Sequence, residues 1–219
     1  MISELSIYIG IGVGFLIMFY FLLGVVANLF YSPGKRDERA ENVRFAVVTV
    51  GSEGVRDSLM RCLRYHTRMF DDYEVFCVTD EGADLEEELV DFDGVETVVV
   101  PDDYDCNAVA KGRAVQYFID TVVSEDPDYW YSFIDDDNLV LDDEFLYEIP
   151  YYEEKGYGAM NSVLKPRKGE SKLTYVMDHV RFLDDLSVFR AFTGFLRRPY
   201  IGFHGELLTA RGDVLTGTR

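Results

Sequence analysis

The chain has 219 residues, with 40 Asp and Glu against 21 Lys and Arg and a formal charge of −19. That balance opposes nonspecific binding to nucleic acid, while 48% hydrophobic residues, including 16 Phe and 15 Tyr, exclude a disordered acidic tail. The charge therefore coats a folded domain, and a halophilic, salt-rich cytoplasm that screens repulsion within a few ångströms would suit it.

In chain order, no charged side chain occurs from Leu5 to Gly34, and Ile7 to Phe30 is almost wholly apolar or aromatic, longer than the roughly 20 residues that cross a bilayer. A cleaved signal peptide would carry a positive leader and a shorter apolar core, whereas only Glu4 is charged before this run. Residues 5–30 are therefore expected to be a retained transmembrane anchor. Gly10 and Gly14 within it either permit close helix packing or are simply tolerated in lipid. Lys35, Arg36, Arg39 and Arg44 follow the run and none precedes it, so the positive-inside tendency predicts a single-pass cell-membrane protein with its C-terminal part in the cytoplasm. Ser32-Pro33-Gly34 closes the anchor, 31–43 reads as a juxtamembrane linker, and one domain is expected over 44–219.

That domain opens with an apolar β-prone run at Phe45–Val50, then Gly51 and a predicted helix over Val55–Met69. A second strand is expected at Tyr73–Thr79, stopping at Asp80, a helical turn at Leu85–Val90 and a third strand at Val95–Val100. Ala108 to Val123 predicts a helix, with Ala110, Ala114, Val115, Phe118, Ile119 and Val122 on one face. Cys62, Cys77 and Cys106 are odd in number and lack metal spacing, so they are expected as free thiols in a reducing compartment.

Trp130 to Ile134 then reads as a buried strand that ends in Asp135-Asp136-Asp137. Three neighbouring carboxylates repel one another strongly at low effective dielectric unless a cation compensates them. With no His or Cys beside them, hard oxygen ligands favour Mg²⁺ or Mn²⁺, whose shells are completed by water and phosphate. The plainer reading is an acidic turn after a strand. Position decides between the two. Apolar strands alternating with helices predict an α/β fold with a mostly parallel sheet covered on both faces, and ligands bind such sheets beyond the strands' carboxyl ends. Gly51, Asp80 and Asp135 to Asp137 each follow a strand, so they are expected along one edge.

Two other acidic motifs fail. A haloacid-dehalogenase phosphatase has Thr or Val two residues beyond its second Asp and places the motif on the first strand, whereas here Leu139 follows and three strands precede. An EF-hand loop starting at Asp135 would have Val140 in place of its Gly and Leu146 in place of its Glu.

From about Phe45 onward, this order of elements resembles the GT-A fold of family 2 glycosyltransferases, inverting enzymes that include cellulose, chitin and hyaluronan synthases. It looks most like the membrane-bound, egghead-like β-mannosyltransferase subgroup. The carriers are Thr49 after the opening strand, Asp80 with Asp84, Val100-Pro101 leading to Ala110-Lys111-Gly112-Arg113-Ala114, the Asp135-Asp136-Asp137 signature, Gly158-Ala159-Met160, and Phe203-His204-Gly205-Glu206-Leu207-Leu208-Thr209-Ala210-Arg211. The resemblance implies a Rossmann-like sheet behind one transmembrane helix. It also implies transfer of a sugar from a UDP- or GDP-type nucleotide sugar to a lipid or polysaccharide acceptor. Asp80 would accept hydrogen bonds from the base, with Thr49 and Gly51 bordering base and ribose. Lys111 and Arg113 either face the pyrophosphate or form a solvated helix face. Asp135 would lie toward ribose and metal, Asp136 in the nucleotide-sugar region, and Asp137 would hold Mg²⁺ or Mn²⁺. His204, Gly205 and Glu206 would border the acceptor, although a strand-end structural role suits Glu206 and His204 as well. The family's catalytic base sits in a Glu-Asp motif a few dozen residues beyond the His204 element. This sequence ends at Arg219, so no general base is expected within it. The chain thus reads as a transferase truncated before that motif. The alternative is a noncatalytic, membrane-anchored subunit that binds nucleotide sugar without turnover.

Overall fold

A computed structural model describes residues 2–169, 171–198, 200 and 207–217. In chain order its elements are helix α1 (Ile2–Phe30), β1 (Val43–Val48), α2 (Arg56–Met69), β2 (Glu74–Asp80), α3 (Glu86–Val90), β3 (Glu96–Val100), α4 (Lys111–Phe118), β4 (Trp130–Asp135), α5 (Glu144–Glu154), β5 (Ala159–Asn161), α6 (Lys172–Asp184), β6 (Leu208–Arg211) and α7 (Gly212–Gly217). Wide π-type turns prolong α4 over Ile119–Val123 and α6 over Asp185–Phe195. The residues gather into two compact units, Gly34–Ser162 with His204–Arg219, and Met1–Pro33 with Val163–Phe203.

The unit that contains the strands is an α/β sheet of order β3-β2-β1-β4-β6-β5. β1 to β4 run parallel, while β6 is antiparallel to both β4 and β5. The central strands are mostly apolar because both of their faces are covered. Phe45, Val47, Trp130 and Ile134 join Leu59 and Leu63 of α2 and Leu146 and Ile149 of α5 on one side. Ala46, Val48, Phe76, Val78, Tyr131 and Phe133 join Ala114, Phe118 and Val123 on the other. Phe118 anchors that second layer, its ring edge-on to Phe76 at 5.3 Å, Tyr131 at 5.9 Å and Phe133 at 6.0 Å.

Among the element boundaries that move, two have a clear local cause. β1 ends at Val48 rather than Val50, because Thr49 N–H makes its last bond to Val78 O (3.0 Å) and Gly51, at φ +61°, turns the chain away. α4 begins at Lys111 rather than Ala108, since Ala110 sits at φ +48°, which a right-handed helix cannot contain. Ala110 is exposed and does not belong to the apolar face that Ala114, Phe118 and Ile119 bury.

In the other unit, α1 is the one described helix long and apolar enough to cross a membrane. Its C-terminal third packs on the turns after α6. Gly24 leaves room for Ser187, as a Cβ there would stand 3.0 Å from the Ser187 Cβ. The Asn28 amide donates to Leu186 O at 2.6 Å and to Gly24 O at 2.7 Å, and Arg190 donates to Tyr31 O at 3.3 Å. The Ser171 hydroxyl caps α6 by accepting from Thr174 N–H at 3.2 Å.

Candidate active site

The carboxyl ends of β2, β1 and β4 lie side by side, with Val48 in register with both Val78 and Asp135. β2 and β3 follow β1 to one side and β4 lies on its other side, so the β1/β4 boundary is a topological switch point, where open α/β sheets form their crevice. Thr49 stands there. Its buried hydroxyl accepts from Gly51 N–H (3.1 Å) and donates to Asp136 Oδ2 (2.6 Å), joining the loops after β1 and β4. Glycine is required at 51 twice over: φ is +61°, and an added Cβ would meet Thr79 Oγ1 at 2.4 Å and Ala83 Cβ at 2.8 Å. That close approach lets Leu85 N–H bond Gly51 O at 2.9 Å and Glu53 N–H bond Asp84 Oδ2 at 3.1 Å. The Thr79 hydroxyl beneath this turn is buried with no hydrogen-bond partner among the described residues.

The first turn of α4 brings the two cations. Arg113 pairs with Asp80 Oδ1 at 2.7 Å and also donates to Pro101 O and to Tyr104 O (3.3 Å), tying together the ends of β2 and β3. Lys111 forms an ion pair with Asp135, whose buried Oδ1 meets no other partner among the described residues. The three consecutive aspartates thus diverge: Asp135 to Lys111, Asp136 to Thr49, and Asp137 exposed, with no hydrogen bond or ion pair among the described residues. Thr49, Gly51, Asp80, Lys111, Arg113, Asp135, Asp136 and Asp137 all lie at this edge. His204, Gly205 and Glu206 lie outside the described residues.

Among the described residues no three His, Cys, Asp or Glu side chains converge as a metal cage. The donor set nevertheless fits a hard divalent ion that keeps most of its shell for water and phosphate. It offers Asp137, a carboxylate without a partner among the described residues, and a buried carboxylate oxygen of Asp135 held by an exchangeable ammonium.

The sequence reading missed the support behind this loop. Cys62, Tyr65 and His66, at i, i+3 and i+4 on α2, present their side chains to the backbone of 135–140. The Cys62 thiol lies 3.4 Å from Asn138 O and 3.7 Å from Asp135 O, and the Tyr65 hydroxyl donates to Val140 O at 2.8 Å. Val140 N–H donates to His66 Nε2 at 3.2 Å, while His66 Nδ1 lies 2.8 Å from Cys62 O. Burial, aided by the nearby Asp136 charge, pushes the Cys62 thiol up to about 12, so the sulfur keeps its proton. Burial lowers His66 to about 4 against a smaller opposing effect of the Cys62 carbonyl, so the imidazole is neutral. The available signal was a His four residues after a Cys on an apolar helix face, a pattern that an ordinary core position also shows.

No protein-family model matches the chain, and no curated protein matches it. Among solved structures it is similar to the mannosyltransferase PcManGT from Pyrobaculum calidifontis in complex with GDP-Man and Mn²⁺, with a TM-score of 0.51 and 14% sequence identity. The match covers 90% of this chain and 53% of that one, so the chain spans about half the length of the mannosyltransferase. At this identity the likeness concerns architecture: the chain has a glycosyltransferase-like α/β fold, with an apolar helix at its N-terminus.

Proposed function

We propose that the chain is the donor-binding part of a membrane-anchored, inverting, metal-dependent glycosyltransferase of the family 2 type, with residues 5–30 as anchor and a cytoplasmic GT-A-like domain over 44–219. The observation that carries this reading is the gathering of Thr49, Asp80, Lys111, Arg113 and the three aspartates at the sheet's switch point. The likeness to a mannosyltransferase holding GDP-mannose and Mn²⁺ supports it and makes GDP-mannose the first donor to test.

In this reading the Asp80 carboxylate accepts N–H groups of the base, and Arg113 keeps it oriented. Thr49 holds Asp136 toward the protein, so Asp136 braces the loop while Asp135 and Asp137 face the ligand. Lys111 is released from Asp135 to pair with the pyrophosphate. Asp137 and Asp135 would hold Mg²⁺ or Mn²⁺, which would supply positive charge to offset the negative charge developing on the departing nucleoside diphosphate. The acceptor hydroxyl, on a lipid or a glycan, attacks the anomeric carbon as the bond to phosphate oxygen breaks. Its proton passes to a carboxylate base for which the resemblance assigns no residue of this chain.

Calorimetric titration of the full chain in detergent and high salt with GDP and UDP, each with and without Mn²⁺, tests the reading. Mn²⁺-dependent binding of one nucleotide is expected. A folded chain that binds neither would overturn it.

A further inference from the structure

We propose that His66 is a positioning residue that sets the register of the acidic loop from beneath and so holds Asp135 and Asp137 at the ligand site. The inference rests on the donor-binding reading above and adds a residue outside the strand-end cluster. A backbone carbonyl can only accept and a backbone N–H can only donate, so the two backbone contacts of the imidazole fix its tautomer, with the Cys62 Sγ as a third neighbour 3.4 Å from Nδ1. Nδ1 carries the proton and gives it to Cys62 O (2.8 Å), and Nε2 presents its lone pair to Val140 N–H (3.2 Å). The ring is fully buried, edge-on to Tyr65 at 5.3 Å and parallel to Phe70 at 6.2 Å, so it cannot turn away. Its one acceptor is therefore committed to the loop.

The Tyr65 hydroxyl takes the carbonyl of the same residue at 2.8 Å, so both polar backbone groups of Val140 are held by adjacent residues of one helix. Asn138 N–H closes a tight turn on Asp135 O at 3.1 Å, with the Cys62 thiol against the carbonyls at both ends of that turn. Every one of these contacts is to backbone. Together with the Thr49 bond to Asp136, they fix where the loop runs without touching the carboxylates of Asp135 and Asp137, which are left to the Lys111 ammonium or a cation. A displacement of this backbone by an ångström would misplace both ligands together, the sensitivity expected where supporting contacts set ligand geometry.

The test uses the full chain in detergent, with Mn²⁺ and GDP or UDP as probes. His66→Leu fills the space without the acceptor, and His66→Gln restores a carbonyl acceptor. The variant His66→Leu should lose about tenfold or more in the affinity gained on adding Mn²⁺, the weight of a supporting contact to a metal ligand. Its metal-free nucleotide affinity should stay within about twofold, and His66→Gln should recover most of the loss; a role limited to general stability would not produce this split or the rescue. Amide exchange without metal provides a readout independent of ligand binding: protection of Val140 should fall in His66→Leu and return in His66→Gln. If His66→Leu does not fold, Tyr65→Phe, which removes one hydroxyl, makes the same comparison with a severalfold loss expected. Unchanged Mn²⁺-dependent affinity in a folded variant, beside a wild type that binds, overturns the proposal alone. A wild type that binds neither nucleotide overturns the donor-site reading instead, and the Val140 amide then decides whether His66 orders the loop.

Discussion

The acidic loop is held on two sides by opposite chemistry. From α4, Lys111 and Arg113 reach the carboxylates of Asp135 and Asp80 with full charges at partly exposed positions. From α2, the buried Cys62 and His66 and the half-buried Tyr65 reach the backbone with uncharged groups. Charged contacts near solvent are weakened by salt and exchange readily for a ligand. Neutral buried ones are indifferent to salt and costly to break. The α2 side therefore fixes the loop's path, and the α4 side supplies what a diphosphate and a cation can replace.

The comparison can be broken most sharply at its ligand end. Asp137→Asn should remove the whole Mn²⁺-dependent increment in nucleotide affinity while leaving the melting temperature within about 2 °C, since Asp137 is exposed and makes no bond among the described residues. Calorimetry and thermal denaturation together check it.

Acid should act next, through the neutral side. His66 is held near 4 when folded against an ordinary 6.5, so between these values the unfolded chain takes up a proton that the folded chain refuses. The stability this group contributes is complete above pH 6.5 and is lost as pH falls to about 4, a change of about 3 kcal/mol. Denaturant melts across that window should show the loss in wild type, and His66→Gln should flatten it.

A smaller effect is expected at Gly51. Gly51→Ala must adopt φ +61° and push its Cβ into Thr79 Oγ1, which should cost about 1–3 kcal/mol by equilibrium denaturation. Smallest is the stability effect of Lys111→Met. The Lys111 side chain is 40% exposed, and removing its charge should change stability by less than about 1 kcal/mol. The same substitution should weaken nucleotide binding severalfold, which would sharpen the contrast between a replaceable contact and a structural one.

The parallel core was legible because strands buried on both faces leave a nearly continuous apolar signature, as Phe45 to Val48 and, apart from Ser132, Trp130 to Ile134 do. The edge was legible because strand direction alone delivers Gly51, Asp80 and Asp135 to one side. What each carboxylate faces was not, since Asp136 meets Thr49 and Asp135 meets Lys111 only after strands from distant parts of the chain align. The short strand β5 is three residues long and carries no periodicity. The gathering of Val163–Phe203 with the first helix is announced by no local pattern, and the supports on α2 read in one dimension as core.

The antiparallel strand β6, set between β4 and β5, has a consequence for synthesis. Phe133 of β4 pairs with Leu208, 75 residues further on, so one edge of β4 has its partner long after β1 has covered the other. At ordinary translation speeds that interval lasts about 4–15 s, during which Trp130 to Phe133 present an unpaired, strongly apolar border to whatever is near. A nascent chain stalled in this window should be a chaperone client, and the release of the chaperone should coincide with the emergence of Leu208 to Arg211.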